Sequence, residues 1–209
     1  MRIKALAYLI YDSILDIIFP KDFLCITCKE NEAEGICLTC KNLIYKLPIE
    51  DESYGIYKGP LKELILNLKF LKDFNSGEVL VDLLEEKIIG AKGYYITYIP
   101  SSKKSLKRRG FNQCEYLGNA LSRRLDIPCV STLIKTKETK DQKTLTIRER
   151  KNNVKNVFEG KNINLIKGNK FILIDDVITT GATIEEGVRV LKKYGAKEIK
   201  ILTIAKSHV

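Results

Sequence analysis

The hydrophobic positions of this chain change period several times, and each change marks an element. Phe171 to Ile174 is a short, continuous, β-branched-rich apolar run, the pattern of a buried strand. Ile184, Val188 and Leu191 follow at helical spacing, Gly195 is a helix stop, and "KEIKILTIA" is the next strand. This predicts a β–loop–α–β unit with "DDVITTGAT", residues 175–183, in its first β-to-α loop. Upstream, Leu61, Leu64, Ile65 and Leu68 predict a helix over 61–71, and "GEVLVDLLEEKIIG" predicts a second. "YYITYI", residues 94–99, predicts a buried strand ended by Pro100. Leu117, Leu121 and Leu125 form one face of a further helix. Strands alternating with helices imply an α/β fold with a mostly parallel, doubly wound sheet.

The remaining segments lack such periods. Residues 136–160 are polar and charged, which predicts a long loop: either a lid over a ligand site or a surface excursion. Between Pro100 and the Leu117 helix, a basic loop carries Lys103, Lys104, Lys107, Arg108 and Arg109. Such a loop can neutralise a pyrophosphate, track a nucleic-acid backbone, or simply be solvated. Phe111 beside it is placed either to stack on a base or to fill the core. At the N-terminus, Leu6, Ile10, Ile14 and Ile17 predict an amphipathic helix stopped by Pro20. Asp12 and Asp16 interrupt it, so neither a signal peptide nor a membrane span is expected, and the expected location is cytoplasmic.

Composition narrows the class. The chain has 209 residues, enough for one well-cored domain and a small appendage, and 44% hydrophobic content is that of a globular protein. A net charge of +10 suits nucleic acid, phosphorylated ligands or an anionic surface, or else a Lys-rich solvated exterior.

Six cysteines are present, and four are organised. Cys25, Cys28, Cys37 and Cys40 form two C-x-x-C pairs in "CITCKENEAEGICLTC". Each pair can place two thiolates on one tetrahedral zinc ion, and Gly35 lets the chain turn back. Four cysteines fill the coordination sphere, which makes the expected zinc structural; an iron–sulfur centre and a redox pair are the alternatives. Cys114 and Cys129 stand alone and are expected to be small core residues. The organisation expected is a helix and zinc module over 1–50 and an α/β domain over 51–209.

The stretch "FILIDDVITTGAT" carries the most specific chemistry. A helix N-terminus favours an anion through its free N–H groups and dipole. Thr179, Thr180 and Thr183 add hydroxyls, and Gly181 permits close backbone approach. Asp175 and Asp176 repel a phosphate but accept hydrogen bonds from sugar hydroxyls or help hold a hydrated metal ion. The combination suits a ribose bearing a 5′-phosphate; no Gly-Lys-Thr or Gly-Lys-Ser ending marks a Walker loop.

The same stretch resembles the phosphoribosyl-pyrophosphate (PRPP) signature of type I phosphoribosyltransferases. That resemblance implies ribose contacts from Asp175 and Asp176, and a ligand-binding stretch running through Val177, Ile178, Thr179, Thr180, Gly181, Ala182 and Thr183. Residues 179–183 would take the 5′-phosphate. Magnesium would accompany PRPP. Over nearly the whole chain, the cysteine module, "YKGPLKELILNLKF", "RRGFNQ", then Gln142, Leu145, Arg150, Asn153 and Phe158, and the PRPP signature together resemble the ComF family. The family is associated with natural competence. The resemblance implies a zinc module fused to a type I phosphoribosyltransferase-like domain, with single-stranded DNA and a competence helicase as partners.

Overall fold

The structure, a computed structural model, describes residues 24–88, 90–137 and 155–207. In chain order it holds helix α1 (Leu38–Asn42), strand β1 (Ser53–Ile56), α2 (Gly59–Leu66) running into a π-helical turn (Asn67–Leu71), and α3 (Phe74–Glu85). Then come β2 (Tyr94–Tyr98), α4 (Lys103–Arg109), α5 (Gln113–Leu125), β3 (Leu133–Lys135) and β4 (Phe158–Gly160). The last elements are α6 (Ile163–Ile166), β5 (Lys170–Ile178), α7 (Ala182–Lys193) and β6 (Glu198–Lys206). No helix among the described residues is long and apolar enough to cross a membrane.

The main sheet has the order β1-β6-β5-β2, every pairing parallel. Beyond β2, Cys129 adds a single parallel bridge to Ile96. Strand β5 lies inside the sheet, and its sequence explains why. Ile172 and Ile174 enter the core on one face, with residues of α2, α3 and α5. Phe171 and Leu173 enter the core on the other, with α7, β3 and β4. A strand covered on both faces must be apolar at every position rather than at alternate ones. The doubly wound α/β architecture expected from the sequence is therefore the one observed.

Several boundaries differ from expectation, each for a local reason. The helix expected over 61–71 starts at Gly59, with Pro60 in its first turn, and widens into the π turn before Lys72 closes it at φ 56°. Helix α3 starts three residues before the expected 77, because the Asp73 carboxylate caps the N–H groups of Asn75 (3.0 Å) and Ser76 (3.3 Å). The basic segment 103–109 is a helix, not a loop. Ser102 Oγ accepts from Ser105 N at 3.1 Å, and Gly110 ends the helix at φ 84°. Its one apolar residue, Leu106, is exposed, so no hydrophobic period announces it.

Strand β5 also overruns its expected end. It continues past Ile174 to Ile178 because β6 continues beside it, pairing Asp175 with Thr203, Val177 with Ala205 and Ile178 with Lys206. Both acids are thus strand residues, and residues 179–181 alone connect β5 to α7. The expected loop 136–160 is corrected at its far end. Phe158–Gly160 pairs antiparallel with Leu133–Lys135, and Phe158 is buried. Gln142, Leu145, Arg150 and Asn153, and the amphipathic N-terminal stretch, lie outside the described residues.

Candidate functional site

At the carboxyl end of β5 the chain turns through Thr179 and Thr180 into Gly181, which caps α7 at φ 76°. No side chain caps this helix, so its first-turn N–H groups face the turn without a capping partner. A Cβ at Gly181 would meet only Glu185 Oε1, at 3.7 Å. Glycine is required there by backbone conformation, which is strained for other residues, rather than by crowding. Thr179 is exposed, Thr180 and Thr183 are partly exposed, and Ala182 is buried beneath them. The arrangement is a cup of backbone donors and hydroxyls at a helix N-terminus.

The acid pair precedes that turn on strand β5 and is almost entirely buried. Asp175 Oδ1 accepts from Asp176 N at 2.9 Å and from the Cys114 thiol at 3.4 Å. Asp176 Oδ2 meets the ammonium of Lys69 at 2.8 Å and a short hydrogen bond from the Gln113 amide. The other end of that amide accepts from Arg109 Nη1 at 2.8 Å. The start of α5 is pinned to the segment just after β2: the Asn112 side chain donates to Ile99 O at 3.1 Å and accepts from Ser101 Oγ at 3.1 Å.

The two carboxyls are held in different states. Burial, and then the neighbouring Asp176 charge, push Asp175 up to about 7. Burial acts on Asp176 in the same direction, but the Lys69 ammonium and the Gln113 amide outweigh it and hold this carboxyl below the ordinary value. Burial works against the charge on Lys69, yet Asp176 keeps it firmly protonated. Burial and both carboxylates drive the Cys114 thiol well above its usual value, so it stays a neutral donor.

Sequence reasoning identified Asp175, Asp176 and the turn but missed Lys69, Gln113 and Cys114 as their partners. Cys114 is a buried small residue, as expected, but it also donates to an acid. Lys69 had one readable signal: a lysine beside core Leu68 in an apolar helix. The π turn carries Lys69 to Asp176 and Phe70 outward, a geometry that regular α-helical spacing does not describe.

The structure brings one basic residue to the acid pair and leaves four at the surface. Arg109 reaches it through Gln113, whereas Lys103, Lys104, Lys107 and Arg108 are exposed on α4. The guanidinium groups of Arg108 and Arg109 lie 5.7 and 5.3 Å from the ring centre of Phe70. Phe111 is partly buried and packs on Phe74, with ring centres 5.5 Å apart.

The cysteine module is a second, separate centre. Cys25, Cys28, Cys37 and Cys40 bring their sulfurs within 4.8 Å of one another, and Cys28 and Cys37 sulfurs are 3.9 Å apart. An ion with sulfur ligands at ~2.3 Å in a tetrahedron has edges of ~3.8 Å, so four such thiols can bind a metal ion. The loops that place them are tightly bonded: Cys25 N to Asn31 O and Ile26 N to Gly35 O are both 2.7 Å. Gly35, at φ 82°, approaches Val79 of α3 so closely that a Cβ would sit 2.7 Å from its methyl carbon. Burial opposes ionisation of Cys25, but backbone N–H groups of Cys37, Cys28 and Thr27 outweigh it and lower the thiol to about 6. The Asn31 amide supports the sulfurs of Cys28 and Cys37 at 3.6 and 3.5 Å. Ile26, within the first C-x-x-C pair, and Ile44, just after the module, are buried in the main core.

The phosphoribosyl transferase domain family matches residues 112–208, from the cap of α5 to just beyond β6. The chain is similar to competence protein F of Haemophilus influenzae, at 33% identity over 179 residues, covering 80% of this chain and 78% of that protein. It is similar to the DNA utilization protein YhgH of Escherichia coli, at 31% identity over 72% of this chain and 69% of that protein. With competence protein ComFC of Streptococcus pneumoniae it shares 28% identity over 87% of this chain and 80% of that protein. Among solved structures, adenine phosphoribosyltransferase of Thermoanaerobacter pseudethanolicus overlays with a TM-score of 0.43 at 16% identity, covering 80% of this chain and 98% of that one.

Proposed function

The chain belongs to the ComF family, the family of competence protein F, and from that membership we propose that it acts in DNA uptake during natural transformation, holding single-stranded DNA and a ribose 5-phosphate ligand of the PRPP type. The observation that carries the ligand half is the buried acid pair near the carboxyl end of β5, a strand that leads through residues 179–181 into an uncapped helix N-terminus with Gly181 at its cap. Asp175 and Asp176 accept the ribose hydroxyls. The turn Thr179–Thr183 takes the 5′-phosphate, because uncapped first-turn N–H groups and threonine hydroxyls converge there; Glu185, in the first turn of α7, is the carboxylate beside it. Lys69 keeps Asp176 ionised and fixed in direction, and Gln113 orients the same carboxylate.

Magnesium, in this reading, travels with the ligand's pyrophosphate rather than residing in the protein. The donor atoms of Cys114, Asp175 and Asp176 lie within 4.8 Å of one another, but a protonated thiol is a poor magnesium ligand and Lys69 already occupies one side of the pair. Zinc suits the four cysteines, which supply four sulfur donors and no open position. The zinc module, over roughly the first 50 residues, is the docking element for a helicase partner, and exposed Leu38 and Leu43 on and beside α1 are its apolar contacts. Lys103, Lys104, Lys107, Arg108 and Arg109 supply phosphate contacts to DNA on the cytoplasmic side of the membrane.

Calorimetric titration with magnesium–PRPP, beside Asp175→Asn/Asp176→Asn protein, tests the ligand half. Saturable binding lost in the double variant supports it, and no binding by folded, metal-loaded wild type overturns it. A second reading, phosphoribosyl transfer with pyrophosphate release, is favoured by the match to the phosphoribosyl transferase domain family. Pyrophosphate release from PRPP above the hydrolysis background, with some base or amine present, is its measure.

A further inference from the structure

Phe70 is 52% exposed, although it directly follows Leu68 and Lys69, both turned inward. The π turn causes this. Widening the last turn of the helix lets Leu68 fill the core and Lys69 meet Asp176, while Phe70 and Leu71 emerge together at the surface. Exposing a phenylalanine and a leucine side by side forfeits burial that either would gain inside. Phe74 packs on both Phe111 and Tyr116, but Phe70 has no aromatic ring partner among the described residues.

What surrounds Phe70 is cationic. Arg108 and Arg109 approach its ring at 5.7 and 5.3 Å. Lys72 Nζ lies 3.2 Å from where a Cβ on Gly110 would stand, at the end of α4. The Arg109 Nε is buried and without a hydrogen-bond partner among the described residues, while its Nη1 is held by Gln113. A half-exposed aromatic ring with two guanidinium groups beside it, one of them held by Gln113, matches the chemistry of a nucleobase flanked by backbone phosphates. The net charge of +10 favours the same polyanion over an apolar partner.

We propose that Phe70 is a base-stacking platform for single-stranded nucleic acid, with Arg108, Arg109 and Lys72 holding the phosphates on either side of the stacked base. This rests on the nucleic-acid half of the function proposed above and assigns it a place: the rim of the acid-pair site, one residue from Lys69. A duplex does not fit the platform, because its bases are already stacked on each other. Phe111, for which the sequence left base stacking and core packing both open, is partly buried and packs on Phe74.

The chain contains no tryptophan, so Phe70→Trp creates a single fluorescent reporter in the full-length protein. Two strands of equal length and charge are compared, an oligo-dT and its abasic counterpart. The expected result is tryptophan quenching by oligo-dT and not by the abasic strand, with Phe70→Trp binding at least as tightly as wild type. Phe70→Ala is expected to weaken oligo-dT binding about tenfold by anisotropy while matching wild type on the abasic strand. Arg108→Gln/Arg109→Gln is expected to lower the slope of log affinity against log salt by ~1.4. Unchanged oligo-dT affinity in a folded Phe70→Ala protein, or a wild type that binds both strands equally, overturns the platform while leaving nucleic-acid binding standing. A wild type that binds neither strand overturns both.

Discussion

Cys25, Cys28, Cys37 and Cys40 come together within one short stretch, whereas Lys69, Arg109, Gln113, Asp175 and Asp176 meet from four separate segments of the chain. The two centres also differ in what supports them. The sulfurs form a small cluster of their own with Ala33 and Ile36, too little apolar mass to order the loops between the cysteines. The acid pair stands on β5, whose preceding residues Phe171–Ile174 are buried in the cores of both faces. From this contrast, a metal ion bound by the four thiols is expected to stabilise the first centre, whereas the second is shaped by the strand beneath it. A metal can repay the ordering of a local loop, while a buried charge pair needs a scaffold already folded around it.

Removing the metal is the strongest way to break that comparison. Metal analysis of protein purified without added metal is expected to give one zinc per chain. Chelation, or Cys28→Ser/Cys37→Ser, is expected to expose the amides of residues 25–46 to rapid hydrogen exchange, with ~10 kcal/mol of binding energy withdrawn from that region. Strands β5 and β6 should remain protected. Equal loss of protection in both regions would show a single cooperative unit, tied through Ile26, Ile44 and the Gly35–Val79 contact.

Next in size is Asp175→Asn/Asp176→Asn, which is expected to weaken magnesium–PRPP binding about a hundredfold by calorimetry while the zinc content is unchanged. Lys69→Met isolates the buried pair. It leaves Asp176 facing Asp175 without a counter-charge, at an expected loss of ~3 kcal/mol in denaturant unfolding. Because Lys69 pairs with Asp176, the metal stoichiometry of the cysteine module serves as the control.

The pH dependence of stability sharpens the contrast further. Asp175 titrates near 7 in the folded chain against an ordinary value of 3.8. Between those values the unfolded chain has released a proton that the native chain retains, so native stability declines as pH rises from about 4 to about 7. Asp176 acts in the opposite sense: its lowered value contributes stability above the ordinary carboxyl range that is lost as the pH falls below it. Asp175→Asn is expected to remove the first slope and raise stability at pH 8 by ~2 kcal/mol, read from denaturant midpoints across pH. The smallest expected effect is that of Gly181→Ala. The strained backbone at φ 76° is worth ~1 kcal/mol of stability, with a several-fold loss of phosphate affinity in the same calorimetric titration.

The cysteine spacing, the apolar run of β5 and the acid–threonine–glycine order were legible because each is a short-range pattern. Chemistry and local geometry there depend on neighbours in the chain. The basic helix α4 was not legible, since all its residues face outward or sideways and its ends are set by Ser102 and Gly110 rather than by a hydrophobic stripe. The extent of β5 was not legible either. Charged residues at 175 and 176 break an apolar pattern, and only the companionship of β6 carries the strand through them.

The sequence by itself determined the α/β alternation, the tetrad of thiols and the acids with their helix-capping glycine. Backbone conformation and ligand chemistry at those places are properties of residues a few positions apart. Tertiary structure alone decided that Lys69 neutralises Asp176, that Cys114 and Gln113 hold the acid pair, and that Phe70 rather than Phe111 faces solvent. Those pairings join residues separated by 61 to 107 positions, and one depends on a widened helical turn. Their partners are selected by how the sheet and its helices pack, which no short-range period in the chain encodes.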